Sequence, residues 1–290
     1  MPFNLPSPLE AMDIWGHTHL YIKRDDLIHP SVSGNKLRKL TGFLSKDLDG
    51  VRVISFGGAW SNHLHALAAF CKLKNIKCIG YVRGELHTDN PTILDVQNWG
   101  MKLIPVSRSD YRQLRMGNYQ LIRSDLQATD IIIPEGGKGP LGMKGFYPLA
   151  EEIHRQTGNE VPRNIVAAVG TGTTVAGLVR AFPDSAIWAV MAVKDPSVPP
   201  IVRRLLTIEE FKRIRWVDQF TFGGFAKKND ELIHFMQEVE QTWDLPLDYV
   251  YTAKAFWALQ QLVEQKLISK SDLTIFYHSG GLQGNRSIQA

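Results

Sequence analysis

Short runs rich in β-branched residues alternate with longer stretches of helical period along nearly the whole chain, and this alternation restricts the fold more than any other feature. Strands separated by helices pair in parallel, with the helices covering the sheet, so the pattern predicts an α/β fold with mostly parallel strands. Strands are predicted at residues 20–23, 51–56, 78–82, 102–105, 130–134, 164–169, 186–191 and 274–277. Helices are predicted at 34–47, 61–74, 91–99, 113–128, 143–156, from about 175, at 230–242 and at 252–266. The units from 44 to 142 are expected to form a smaller α/β domain. It would be set into a larger domain made of 1–43 and 143–290, with the glycine-rich turn 135–140 as the hinge. Hydrophobic residues make up 44% of the 290, enough for a substantial core.

The same composition excludes several classes of function. No stretch approaches the eighteen or so apolar residues of a membrane helix, and the first thirteen residues lack a signal-peptide pattern. Cys71 and Cys78 have neither CxxC nor metal-ligand spacing and read as reduced core thiols, so a cytoplasmic protein is expected. The net charge of +4 is dispersed. Its densest basic run, 203–215, also holds Glu209 and Glu210 and reads as a solvated helix face rather than a nucleic-acid footprint. A mildly basic chain favours anionic small molecules.

Three strand-to-helix junctions carry the chemistry. In Ser33-Gly34-Asn35-Lys36-Leu37-Arg38-Lys39-Leu40, turn-formers precede Lys36 and place it at a helix start. The partial positive charge of a helix N-terminus disfavours an ammonium, and a neutral lysine amine is a nucleophile able to form a Schiff base with an aldehyde. In Gly170-Thr171-Gly172-Thr173-Thr174-Val175-Ala176-Gly177, glycines free backbone N–H groups and threonines add hydroxyl donors, a cradle suited to a phosphate monoester. Its glycine spacing departs from the dinucleotide fingerprint GxGxxG, and no Gly-Lys-Ser/Thr follows for a triphosphate loop. In Gly57-Gly58-Ala59-Trp60-Ser61-Asn62-His63, Ser61 is an N-cap, and the exposed N–H groups with Ser61, Asn62 and His63 can hold a carboxylate. His63 and His65 fall on different helix faces, which argues against a two-histidine metal site. An activated lysine with two anion sites is the ligand set of a pyridoxal-phosphate enzyme bound to an amino acid.

Tyr21-Ile22-Lys23-Arg24-Asp25-Asp26-Leu27 followed by Gly34 to Leu40 resembles the cofactor-lysine region of the 1-aminocyclopropane-1-carboxylate deaminase and D-cysteine desulfhydrase family. These are fold-type II pyridoxal-phosphate enzymes, akin to the tryptophan synthase β subunit. Gly57-Gly58 with Ser61-Asn62-His63, Ile133-Pro134-Glu135-Gly136-Gly137, Tyr251-Thr252-Ala253-Lys254-Ala255 and His278-Ser279-Gly280-Gly281-Leu282 match in the same order, from about Pro8 to Leu282. The resemblance implies two open, twisted, mostly parallel sheets flanked by helices, pyridoxal 5'-phosphate as cofactor, a small amino-acid substrate and a homodimer. Lys36, Tyr251 and Ser61 would be catalytic, with Lys36 carrying the cofactor and shuttling the Cα proton. Lys39 and the loop Gly170, Thr171, Gly172, Thr173 and Thr174 would hold the phosphate, and Asn62 the ring oxygen. Ser61, Asn62 and His63 would bind the substrate carboxylate, with Tyr251 and Phe225 over the reacting centre. Thr252 matches the position facing the pyridine nitrogen, where deaminases carry glutamate. A threonine hydroxyl there can only donate to a neutral nitrogen, which suits an easy leaving group such as thiolate. Phe225 stands where relatives have a second tyrosine, Ser33 replaces a common glycine, and Trp60 is bulky beside the carboxylate site. The expected reaction is β-elimination of D-cysteine. The alternatives are the deaminase, another D-amino-acid eliminase, or a cofactor-binding protein with little catalysis.

Overall fold

The computed structural model describes residues 3–32, 34–45, 48–87, 89–224, 226–227 and 229–288. In chain order the strands are β1 (Leu9–Ile14), β2 (His17–Arg24), β3 (Arg52–Gly57), β4 (Lys77–Arg83), β5 (Lys102–Val106), β6 (Asp130–Ile132), β7 (Asn164–Val169), β8 (Ala186–Met191), β9 (Ile214–Val217) and β10 (Thr274–His278). The helices are α1 (Asn35–Phe43), α2 (Asn62–Lys74), α3 (Pro91–Asn98), α4 (Arg108–Arg115), α5 (Pro140–Lys144), α6 (Tyr147–Gln156), α7 (Thr173–Ala181), α8 (Val198–Leu205), α9 (Ile208–Lys212), α10 (Asp230–Trp243) and α11 (Thr252–Glu264).

The strands form two sheets. A six-stranded sheet has the order β1-β2-β10-β7-β8-β9, parallel apart from the antiparallel β1–β2 pair. A four-stranded sheet, β5-β4-β3-β6, is parallel throughout. Both faces of each sheet are covered, as the alternation of side chains along a strand requires. On β7, Ile165, Ala167 and Val169 pack with α6, α7 and α8, whereas Val166 and Ala168 pack with α10 and α11. In the smaller sheet Val53 and Val82 meet α1, α2 and α3, while Ile54, Phe56 and Ile79 meet α4.

Parallel strands send their carboxyl ends, and the loops that follow them, to the same edge of a sheet. The segments after β2, β3, β7 and β10 carry Lys36, Ser61, Thr171 and Gly281, which is why residues so far apart in sequence can share a site.

Several expectations need correction. The helix predicted at 113–128 is instead α4 followed by a separate 3-10 turn, Gln120–Asp125; Gly117, at φ 87°, breaks the run. The helix predicted at 143–156 is divided at Gly145. Pro148, at the start of α6, cannot donate to the Lys144 carbonyl, and a side chain at Gly145 would lie 1.6 Å from the Arg38 carbonyl oxygen, so glycine is needed where the two helices approach. The basic run 203–215 is not one solvated helix: it spans the end of α8, all of α9 and the start of β9. Strand β1, which pairs along β2, was not predicted. Cys71 and Cys78 are free and buried, as expected.

Candidate active site

The site begins with how α1 is aimed. Gly34 takes φ 64°, ψ −150°, a conformation open to glycine, and precedes the first helical residue. Its N–H donates to the Asp25 carbonyl at 2.8 Å, and Asn35 N–H donates to the Ser279 carbonyl at 3.1 Å. The Asn35 amide Nδ2 donates to Thr174 Oγ1 at 3.1 Å, while its Oδ1 accepts from Lys36 Nζ at 2.6 Å. Gly34 thus ties the helix start to the end of β2, and Asn35 links the end of β10, the start of α7 and the Lys36 amine. Below them Arg38 is clamped by Asp25 and Glu152, and Asp25 also accepts from Ser7 and Tyr277 at 2.6 Å each. Burial pushes the Asp25 carboxyl up, but Arg38, Ser7 and Tyr277 outweigh it and hold the acid below its usual range.

Lys36 is the amine that this frame presents. Burial lowers its ammonium to about 8, against an opposing pull from Asp248. The cause is desolvation rather than the helix terminus. Lys39, one turn on, is buried and lowered well below the ordinary lysine range by burial and by Lys36. Its Nζ donates to the Gly136 carbonyl at 3.3 Å, and no ion pair to it occurs among the described residues. Side chains built at Gly136 and Gly137 would reach Thr171 at 3.0 Å and Lys39 at 3.1 Å, so the 135–137 turn, Lys39 and Thr171 adjoin. Thr171 Oγ1 is buried without a hydrogen-bond partner among the described residues. The left-handed Gly172, at φ 83°, starts α7 and leaves its first N–H groups without intrahelical acceptors. Thr173 and Thr174 accept from Gly139 N–H and Asn35, and each retains a hydroxyl hydrogen to give. A buried lysine, an orphaned hydroxyl and a helix start are groups able to hold an anion between them.

The loop after β3 supplies the opposite wall. Ser61 caps α2 by accepting from Leu64 N–H at 3.2 Å, and the Asn62 and His63 N–H groups are the helix's free donors. Asn62 Oδ1 accepts from Gln283, whose own Oε1 accepts from Thr92 at 2.9 Å and Arg286 at 3.0 Å. This fixes the amide so that Nδ2 points toward Gly281, 3.2 Å from where a side chain there would begin. A cavity of about 130 Å³ is lined by Lys36, Asn62, His65, Asp26, Gly281 and Gln283. His63 departs from its expected part. Its Nε2 lies 2.8 Å from Ser55 Oγ, which donates to the Ile133 carbonyl at 2.7 Å. Nε2 therefore carries the hydrogen, and the unpartnered Nδ1 is an acceptor. Burial, Lys36 and Lys39 lower the ring to about 3, so it is neutral and its side chain does not offer a donor to a carboxylate. His65 packs on Trp99 and pairs with Asp95.

Tyr251 and Thr252 open α11. The Tyr251 ring lies 3.3 Å from the side-chain position of Gly170, and burial, Asp248 and Glu135 raise its hydroxyl. Thr252 is fully buried. Its hydroxyl donates to Asp248 Oδ1 at 3.0 Å and accepts from Asp248 N–H at 2.7 Å, so the donor expected for a ring nitrogen is already committed within the turn. Asp248 also accepts the N–H groups of Val250, Tyr251 and Thr252. Phe225 and Ser33 lie outside the described residues. Asp248, Gln283 and Asp26 were missed by sequence reasoning; only the His278-to-Leu282 motif beside Gln283 hinted at the last wall. Among the described residues no cluster of three or more His, Cys, Asp or Glu could hold a metal, and no helix is long and apolar enough to cross a membrane.

Comparison with known proteins gives the family. A family model described as pyridoxal-phosphate dependent enzyme matches residues 2–280. A Thermotoga maritima protein with the provisional name 1-aminocyclopropane-1-carboxylate deaminase is 30% identical over 284 residues, covering 92% of this chain and 89% of its own. A Salmonella paratyphi A D-cysteine desulfhydrase is 27% identical over 306 residues, covering 95% and 92%. Among solved structures, an ACC deaminase homologue superposes with a TM-score of 0.80 at 24% identity, over 98% of this chain and 92% of that one. A hydrogen sulfide-producing enzyme from Fusobacterium nucleatum gives 0.68 at 15% identity, over 96% of each. The residues present fit pyridoxal phosphate: an amine for its aldehyde, an anion hole for its ester, and the Asn62 Nδ2 donor for its ring oxygen.

Proposed function

The chain belongs to the family of pyridoxal-phosphate-dependent enzymes, and within it we propose that the protein is a lyase that eliminates sulfide from D-cysteine. The observation that carries this reading is Lys36: a half-buried lysine whose amine is lowered to about 8, tied to Asn35 and facing the cavity shared with Asn62. When bound, the cofactor withdraws electrons from the Cα of an attached amino acid. Lys39, Thr171 and the start of α7 would hold its phosphate, and Asn62 Nδ2 its ring oxygen. The N–H groups of Asn62 and His63, with the Ser61 hydroxyl, would orient the substrate carboxylate. Lys36, neutral once released from the cofactor, takes the Cα proton as general base. Hydrosulfide then leaves Cβ, and water consumes the remaining product, so that cysteine and water give pyruvate, ammonia and hydrogen sulfide. Tyr251, against Gly170, closes the reacting side and excludes solvent.

Thr252 supports a sulfur leaving group over a cyclopropane. No charged side chain occupies that position, and the neighbouring Asp248 is saturated by backbone N–H groups and the Thr252 hydroxyl. A ring nitrogen without an ionic partner gives a weaker electron sink, which is adequate where thiolate departs readily. The deaminase is the second reading, favoured by the name of the Thermotoga relative. We further propose the division at 44 and 142, since every strand of the smaller sheet falls between those residues, together with a cytoplasmic homodimer. Light scattering on the purified protein tests the dimer. The deciding experiment incubates purified enzyme with D-cysteine, L-cysteine, D-serine and aminocyclopropane carboxylate, and measures sulfide, pyruvate and 2-oxobutyrate. Sulfide and pyruvate in equal amounts from D-cysteine are expected. Oxobutyrate from the cyclopropane without sulfide from D-cysteine would reverse the assignment.

A further inference from the structure

Lys254, in the first turn of α11, has no part in the chemistry above and is completely buried. Its ammonium donates to three backbone carbonyls: Ala192 at 3.1 Å, Thr221 at 2.9 Å and Gly224 at 2.7 Å. No carboxylate pairs with it among the described residues. Three ammonium hydrogens thus meet three carbonyl oxygens, and peptide dipoles do the work of a hydration shell. Carbonyl rings solvate alkali cations on the same principle. A buried charge without an ionic partner is costly, and an apolar side chain would pack in its place at less expense. The three oxygens belong to separate stretches: Ala192 directly follows β8, and Thr221 and Gly224 lie in the segment between β9 and α10. Thr221 O also accepts the Gly224 N–H at 2.9 Å and Gly224 O the Lys227 N–H at 3.5 Å, so without a cation each oxygen would keep a lone pair aimed into the space the ammonium fills.

We propose that Lys254 is a tethered monovalent cation occupying a three-carbonyl cation site, and that through it the turn bearing Tyr251 and Thr252 is locked to the ends of two neighbouring segments. Lys254 is a positioning residue: it touches no reacting atom, but it fixes the helix start whose Tyr251 ring sits against Gly170 of the phosphate loop. Removing the side chain while keeping the carbonyls should turn a built-in cation into an exchangeable one. Potassium, ammonium and rubidium are close in size to the lysine head group; lithium is much smaller.

The catalytic arm of the test rests on the lyase reading, and the stability arm does not. Lys254→Ala, purified with bound cofactor, is compared with wild type in potassium, ammonium, rubidium, lithium and choline chlorides at constant ionic strength. In choline the variant should lose at least ten-fold in kcat with little change in KM. Its melting temperature should fall, and both should recover with potassium, ammonium or rubidium but not with lithium. The wild type should respond to none of them. A variant equal to wild type in choline, or one that no cation of this size restores, overturns the proposal. If the variant folds in no salt, wild-type enzyme decides by amine acetylation and mass spectrometry: Lys254 should stay unmodified while surface lysines react, and equal labelling would refute the site.

Discussion

Gly34→Ala is the sharpest test of how Lys36 is held. Elsewhere such a change stabilises by about 0.4–1 kcal/mol, because alanine has fewer unfolded conformations to lose. Here two structural terms oppose it. Glycine at φ 64°, ψ −150° sits in a region that a Cβ disfavours by about 1–3 kcal/mol. The added Cβ would lie 1.9 Å from the Ser279 carbonyl oxygen, against 3.4 Å for ordinary contact, so one of the two backbones must yield by about 1.5 Å. Both are held: Gly34 by Asp25, and Ser279 by Asn35. The expected net destabilisation is about 3 kcal/mol or more. Lys36 lies two residues on, and a displacement of about 1 Å at a reacting group costs about 10²-fold in rate. Urea unfolding gives the first figure and kcat the second. Gly50→Ala is the control: its φ is +67° but nothing lies within 4 Å of the new atom, so about 1–2 kcal/mol and unchanged kcat are expected. If Gly34→Ala behaves like Gly50→Ala in both measurements, the argument from the Ser279 contact is wrong.

Three further outcomes follow from the same geometry. Apoenzyme should capture the cofactor faster as pH rises to about 8 and then level off, because capture needs the neutral Lys36 amine; stopped-flow absorbance that kept rising toward 10.5 would contradict the burial argument. Asp25→Asn should cost about 3–5 kcal/mol in chemical denaturation, since it strips one partner from a buried Arg38. With Asp25 and Glu152 both held below their usual range, the wild-type contribution should be complete above an unfolded carboxylate value of about 4 and lost as pH falls below it. Gln283→Leu should release the Asn62 amide and weaken cofactor retention about ten-fold on dialysis, while a stability loss alone, with unchanged retention, would reduce Gln283 to packing.

The buried cations mark three different uses of one side chain. Lys23 is matched by Glu152 and a carbonyl, and is structural. Lys39 has a single carbonyl and stands open to an anion. Lys36, half-buried, has among the described residues only the Asn35 oxygen and is lowered into a useful range. Burial alone does not distinguish them; the partner does.

Much of this was readable locally. Period-2 and period-3.6 patterns located β7 and β8 at their observed bounds, and turn-formers ahead of Lys36, Ser61 and Thr173 marked the three helix starts. Those signals depend on neighbours a few residues away, so one sequence carries them. The failures were tertiary. Pro148, which has no N–H for the Lys144 carbonyl, marks the break near Gly145 locally, but nothing in the local pattern reports the approach of Arg38 to Gly145. The His63 ring became an acceptor because Ser55 commits its hydrogen to Ile133, 78 residues on. Asn62 is oriented by Gln283, 221 residues away, and Lys254 finds a carbonyl at Ala192, 62 residues back. Residue types and spacing determined that a lysine would open a helix among glycine-rich strand-to-helix loops. Which donors stay free, which are spent on each other and which charges lose their water are decided only when strand ends from distant parts of the chain meet, because hydrogen bonds and desolvation depend on separation in space.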